Sequence, residues 1–402
     1  MRIENIRNTE RFGSVRIHDV QKVVELDSGK TEIPPVGTPT VMKIDDEVLR
    51  SFEGEMAIVI PTKDEKLQLF EGVISGVPHD CALIVISNSS RKKVDRFRLE
   101  KDTLEQFCRH AQRSAYIIHQ KDTTIAQIAQ QAGYTDLIGE DGLVRNGKSE
   151  GMVIALLMAM ALGKKYIGFI DADNYFPGAV LEYAKSYAAG FSMSTSPYAM
   201  VRILWRYKPK FAGGLYFKKR GRVSETTNKC LNALLSATTG FETDIIKTGN
   251  AGEHAMTIKL AEILPYASGY AVEPQEIISI LEQSGAVLPA PYPTVAKHGV
   301  DIFQIETRNP HLHEEKGLEH LLDMLRSGLS AIHYSQLANP TTKDMIITEL
   351  TAQEALKPDE TLPPPHINRS PRKVDLKSAQ TLLQQRLEDY SVSPTPLKVG
   401  VA

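Results

Sequence analysis

Between Met56 and Phe169 the chain repeats one pattern: an apolar run of strand length, a polar turn, then a stretch with helical spacing. Ala57-Ile-Val-Ile60 stops at Pro61-Thr62, and Ala82-Leu-Ile-Val-Ile86 stops at Ser87-Asn88-Ser89-Ser90. Ala115–His119 follows, and then the run that begins at Tyr166. Helical patterns reach to about Ser75, span Leu99–Gln112 and span Ser149–Leu162. Strands that are apolar throughout need cover on both faces, and alternation with helices supplies it. The expected fold is therefore α/β: a Rossmann-like, mainly parallel sheet with helices on both faces.

The last of these runs ends in Asp171-Ala-Asp173, followed by Asn-Tyr-Phe-Pro177. A bend at a strand end turns two such carboxylates into one crevice, and ligands of open α/β sheets bind at the carboxyl ends of the strands. Two hard oxygen ligands there suit Mg²⁺ or Mn²⁺ carrying a diphosphate. The triplet alone also fits an exposed turn. The turns after the first two strands carry backbone N–H groups and short polar side chains suited to a nucleoside. Gly-x-Gly-x-x-Gly is absent from the first unit, which argues against an NAD-type site.

Further along, Gly142-Leu-Val-Arg-Asn-Gly-Lys148-Ser149 is a glycine-punctuated loop opening onto a helix, without P-loop spacing. Between Val201 and Arg222 stand eight basic residues and no acidic ones. Arg202 and Arg222 are among them, and an anionic acceptor would explain the excess. Thr248-Gly-Asn-Ala-Gly-Glu253-His254 sets an acid after a flexible loop, to meet sugar hydroxyls or to cap a following helix, Ala255–Leu264. His311-Leu-His313 on extended backbone puts two imidazoles on one side, consistent with one metal ligand.

The whole chain has 402 residues and a formal net charge of -2, which argues against a nucleic-acid binder driven by bulk charge. Three scattered cysteines (Cys81, Cys108, Cys230) form no disulfide framework. No apolar stretch is long enough for a membrane span, and cytoplasmic location is the expectation. Four segments are expected: a lead-in over 1–55, a nucleotide-sugar half over 56–200, an acceptor half over 201–335 and a proline-rich tail over 336–402. The tail's Leu376, Ala379, Leu383 and Leu387 share one helix face, for docking or as a dimerisation arm. A homodimer is the expected assembly.

Taken in order, these segments resemble the mannosyl-3-phosphoglycerate synthases, metal-dependent retaining glycosyltransferases of GT-A fold. Glu10-Arg-Phe-Gly, Ile60-Pro-Thr, Ser87-Asn-Ser-Ser and His119-Gln-Lys-Asp122 carry the resemblance, with Ile138–Val144 and Phe169–Ala179. So do Arg202–Lys210, Gly221-Arg-Val-Ser-Glu, Lys247–His254 and Glu306–Glu314. It runs from about Arg11 to Tyr334, and the tail after about 350 adds nothing to it. The resemblance implies transfer of mannose from GDP-mannose to the 2-hydroxyl of 3-phosphoglycerate, toward the compatible solute mannosylglycerate. It implies a divalent metal (Mg²⁺, with Mn²⁺ or Co²⁺ as alternatives) on Asp173 and on His313 in preference to His311. Asp171 would hold the ribose or a metal-bound water. Pro61, Thr62, Glu65, Ser87, Gln120, Lys121 and Lys148 would face the donor, and Glu253 the sugar. Gly221, Arg222, Val223, Ser224 and Arg202 would meet the acceptor. The alternatives are a glucosyl-3-phosphoglycerate synthase, a sugar nucleotidyltransferase of similar sheet, or a binding protein without catalysis.

Overall fold

The computed structural model describes residues 1–27, 29, 40–174, 176–205, 208–211, 215–218, 222–311 and 317–394. Of 208–211, 215–218 and Arg222 it describes the backbone only.

Seven strands form the middle of one large mixed sheet: β1 (Met56–Thr62), β2 (Ala82–Ser87), β3 (Ala115–His119), β4 (Tyr166–Phe169), β5 (Ala199–Trp205), β6 (His254–Thr257) and β7 (Val300–Thr307). Their spatial order is β3-β2-β1-β4-β6-β5-β7. The first four are parallel, β6 is antiparallel to both β4 and β5, and β5 runs parallel to β7. The residues read as one helix, Ala255–Leu264, are instead β6 and a four-residue helix, Ile258–Ala261. A four-residue strand buried on both faces has no periodicity to show. Pairing of His254 with Phe169 and with Arg202 holds it in place.

Alternation within the strands divides the core. Ala57 and Val59 pack on one face, Ile58 and Ile60 on the other. The first face is covered by α3 (Lys148–Ala161) and by α6 (Val272–Ser284). The second is covered by α1 (Leu67–Gly76) and α4 (Pro177–Met193), with α2 (Arg96–Ala111) beside them. Each β-branched residue so buried contributes roughly 1.5–3 kcal/mol, which is why these runs contain no polar residue.

The first 55 residues add strands to the same sheet. Gln21–Glu25, Arg2–Glu4 and Val41–Lys43 extend it beyond β7, and Val15–His18 pairs with β7 in parallel. The amphipathic tail segment forms α7 (Leu376–Gln384) and docks, burying Ala379 and Leu383. Its Gln380 and Gln384 donate to the carbonyls of Met160 and Ala161 at the C-terminus of α3. Both carbonyls lie in the last turn of α3, where the regular helical hydrogen bonds run out. Ser391–Val392 then joins the sheet edge against β3. Among the described residues no helix is long and apolar enough to cross a membrane.

Candidate active site

The topology brings the polar motifs to one edge of the sheet. β1, β2, β3 and β4 end there, at Thr62, Ser87, His119 and Phe169. β6 runs the other way, so its start at His254, and Glu253 before it, lie opposite Phe169 on that same edge. β5 and β7 again end there, with Trp205 paired to Thr307. His311, four residues beyond β7, stacks on Trp205 with ring centroids 4.1 Å apart.

The carboxylate pair after β4 is held by specific partners. Lys148, at the start of α3, places its ammonium 2.8 Å from Asp171 Oδ1 and 3.0 Å from Glu273 Oε1 on α6. Burial works against this ammonium, but Asp171 and Glu273 outweigh it and raise its pKa well above the lysine range. Asn174 Nδ2 donates to the Asp171 carbonyl at 3.0 Å and to Glu253 Oε1 at 2.9 Å. Glu253 is wholly buried, and among the described residues its Oε2 has no hydrogen-bond partner. Burial, with Asp171 adding to it, pushes the Glu253 carboxyl up to about 8. The segment that follows Glu253 is β6, so this acid caps no helix. Asp173 is buried beside them.

Gly252 shows how closely this centre is packed. A methyl group on its Cα would stand 2.8 Å from Asp171 Oδ2 and 3.4 Å from Lys148 Nζ. Only glycine lets the loop before β6 approach the ion pair.

Several expected contacts fall elsewhere. Arg202, read as an acceptor contact, is wholly buried on β5 and is corrected to a core residue. Its guanidinium donates to the carbonyls of Thr248, Gly249 and Glu273 and to Glu276 Oε2 at 3.2 Å. Its donors are thus divided between the loop leading to Glu253 and α6. Glu276 in turn lies 3.1 Å from His254 Nε2. Neither Glu276 nor Glu273 was singled out from sequence, because one glutamate in a helix carries no signal.

Among the residues expected to face the donor, the hydroxyls of Thr62 and Ser87 turn inward to Glu100 on α2. Gln120 is also buried, donating to the carbonyls of Arg145 and Gly147 and so bracing the loop ahead of Lys148. Pro61 and Glu65 remain partly accessible, and Lys121 pairs with Asp141 at 3.0 Å. Of the residues expected to meet the acceptor, Val223 is buried and Ser224 half-buried at the start of α5 (Arg222–Thr239). Gly221, the Arg222 side chain and His313 lie outside the described residues. Among the described residues no three His, Cys, Asp or Glu side chains converge as a metal site. His311 Nδ1 lies 3.2 Å from the Tyr183 hydroxyl.

The family model for mannosyl-3-phosphoglycerate synthase matches residues 5–383, reaching through α7 and so well past the segment that the motifs alone cover. A mannosyl-3-phosphoglycerate synthase from Pyrococcus furiosus is 45% identical over 381 residues, 94% of this chain and 96% of its own. One from Aeropyrum pernix is 39% identical over 87% of this chain and 90% of its own. Among solved structures, glucosyl-3-phosphoglycerate synthase from Mycobacterium tuberculosis in complex with UDP superposes with a TM-score of 0.51 at 18% identity. It covers 83% of this chain and 96% of its own. The same enzyme with Mn²⁺, UDP-glucose and glycerol 3-phosphate gives a TM-score of 0.50 at 17% identity, over 83% and 96%. The fold is thus that of these glycosyltransferases, and by the extent and identity of its matches the chain belongs to the mannosyl-3-phosphoglycerate synthase family.

Proposed function

We propose that this enzyme transfers mannose from GDP-mannose to 3-phosphoglycerate with retention at the anomeric carbon, assisted by a divalent cation. Family membership over nearly the whole chain carries the reading. The cluster at the end of β4 supports it. Asp171 and Glu273 share the single ammonium of Lys148, Asp173 and Glu253 are buried beside them, and among the described residues Glu253 Oε2 has no hydrogen-bond partner. Burying that much acid near one cation fits a further, divalent one.

Asp173 and His313 would hold the ion, which when bound supplies positive charge against the departing diphosphate. Mg²⁺ is the proposed ion, with Mn²⁺ and Co²⁺ as alternatives. The Mn²⁺ in the mycobacterial neighbour agrees with a divalent ion. The chain's own residues do the rest. Lys148 holds Asp171 in one rotamer, so the ribose side of the donor meets a fixed carboxylate. Glu253, held in place by Asn174, offers its second carboxyl oxygen to a sugar hydroxyl. Arg222 and the start of α5 receive the acceptor's phosphate and carboxylate. The rate gain is orientation plus electrostatics, without a strong base.

The three buried thiols, raised above the usual cysteine range by burial, suit a reducing cytoplasm. A homodimer is the proposed assembly, measurable by light scattering.

The test is a donor and acceptor panel. The reading expects GDP release from GDP-mannose that requires 3-phosphoglycerate and a divalent cation. Preference for UDP-glucose would reassign the donor, and pyrophosphate-dependent loss of GDP-mannose would reassign the reaction class.

A further inference from the structure

We propose that Glu100 is the positioning residue of the donor side, its carboxylate locking together the two turns on which the nucleoside rests. This inference depends on the donor placement proposed above. Glu100 projects from α2 and is 1% exposed. Three hydroxyls donate to it: Ser87 at 2.6 Å, Ser89 at 2.5 Å and Thr62 at 3.4 Å. Thr62 ends β1, Ser87 ends β2, and Ser89 lies in the turn that follows. One carboxylate thus gathers the ends of two neighbouring strands.

The consequence travels outward through the chemistry of a hydroxyl, which has one proton and two lone pairs. With the Ser89 proton spent on Glu100, its oxygen accepts from the Asp64 amide at 2.7 Å. Asp64 Oδ1 then accepts from the Ser90 amide at 2.8 Å. Ser87 likewise accepts from the Ser89 amide at 3.2 Å. The turns after β1 and β2 are therefore stitched to each other in both directions. Asp64 itself has φ 57°, a left-handed conformation costly for a residue with a side chain. The stitched turns hold it there.

Among the described residues Glu100 has no lysine or arginine ion pair. A carboxylate taken out of water with hydroxyls as its partners costs stability that an apolar side chain would not. What it supplies is geometry: two turns with one fixed shape, the hydroxyl protons of Thr62, Ser87 and Ser89 turned inward. The surface left to a donor is the outer side of those turns.

The experiment compares wild-type, E100Q, E100A and S89A enzymes, full-length, by calorimetric binding of GDP and by steady-state kinetics. E100Q keeps the shape but sets an amide N–H₂ against a hydroxyl. E100A removes the lock, and S89A removes only the link to Asp64. The expected result is a rise of about tenfold in the GDP Kd and the GDP-mannose KM of E100A, the worth of roughly one hydrogen bond to a charged group. E100Q and S89A should show smaller rises in the same two constants, with kcat and the 3-phosphoglycerate KM held. A merely structural residue would move both KM values and the melting temperature together. Folded S89A and E100Q enzymes that bind GDP as wild type does, or that lose donor and acceptor affinity equally, would overturn the proposal while leaving the proposed reaction intact. A wild-type enzyme that binds no GDP would overturn both.

Discussion

Lys148 and Asp171 form a short ion pair, 2.8 Å, that joins the start of α3 to the end of β4. The same ammonium reaches Glu273 on α6 at 3.0 Å, so one side chain ties together three elements around the site. Replacing Lys148 with Met removes the cation shared by buried Glu273 and half-buried Asp171. The expected outcome is a loss of at least about a hundredfold in kcat/KM, with a lower melting temperature. K148R should recover stability better than activity, because a guanidinium cannot sit as a point charge between the two acids. Steady-state kinetics and thermal melts of the two variants check this.

Gly252 tests how tight that centre is. G252A places a methyl 2.8 Å from Asp171 Oδ2, so the carboxylate must move or the loop must withdraw. Turnover is expected to fall about tenfold or more while the protein still folds, since displacement of roughly an ångström at reacting groups has effects of this order. A G252A enzyme with wild-type kcat would show the contact to be slack.

Glu253 gives a pH signature. Its folded carboxyl titrates at about 8, against about 4.3 in an unfolded chain. Between these values the folded state holds the proton and the unfolded state releases it. The stability contributed by this group therefore falls as pH rises across that window. In metal-free protein, E253Q should be more stable than wild type at pH 8, and the gap should close toward pH 5. Urea denaturation with chelator at the two pH values measures it.

Asp301 has the opposite sign. Burial alone would raise its pKa, but bonds from His18, Arg16 and Ser194 outweigh that and hold it well below the carboxylate range. Its stabilisation is full above about pH 4 and is lost as pH falls toward the folded pKa. D301N should cost about 3–5 kcal/mol at pH 7, the usual loss when one partner leaves a buried ion pair, and the penalty should shrink below pH 4. Denaturation of wild type and D301N from pH 7 to pH 3 gives the comparison.

The assignment of Arg202 to the core carries its own prediction. R202M leaves Glu276 buried without its cation and should destabilise the fold by about 3–5 kcal/mol. R202K, if folded, should keep the wild-type KM for 3-phosphoglycerate, which an acceptor-binding arginine would not.

These residues also show what a linear reading can and cannot reach. The strand ends at Thr62, Ser87 and Phe169 were legible because runs buried on both faces are apolar without interruption, and polar turns end them abruptly. The acidic pair was legible for the same reason. β6 was not, because His254-Ala-Met-Thr is too short to show a period and is placed by distant partners. Arg202 heads a stretch of basic residues, which hides its place in the core. Its neighbours Met200, Val201, Ile203 and Leu204 are all apolar, and that pattern marks a core position. Glu100, Glu273 and Glu276 left no trace in sequence, since a buried acid in a helix looks like a solvated one until its partners arrive through the fold.

The most direct test is turnover of D173A with GDP-mannose, 3-phosphoglycerate and Mg²⁺, beside wild type and with folding verified by circular dichroism. The expected result is wild-type synthesis of mannosyl-3-phosphoglycerate and a D173A rate at least about a thousandfold lower. A folded D173A enzyme that forms product at the wild-type rate, with or without chelator, would contradict the proposed role of the strand-end carboxylates.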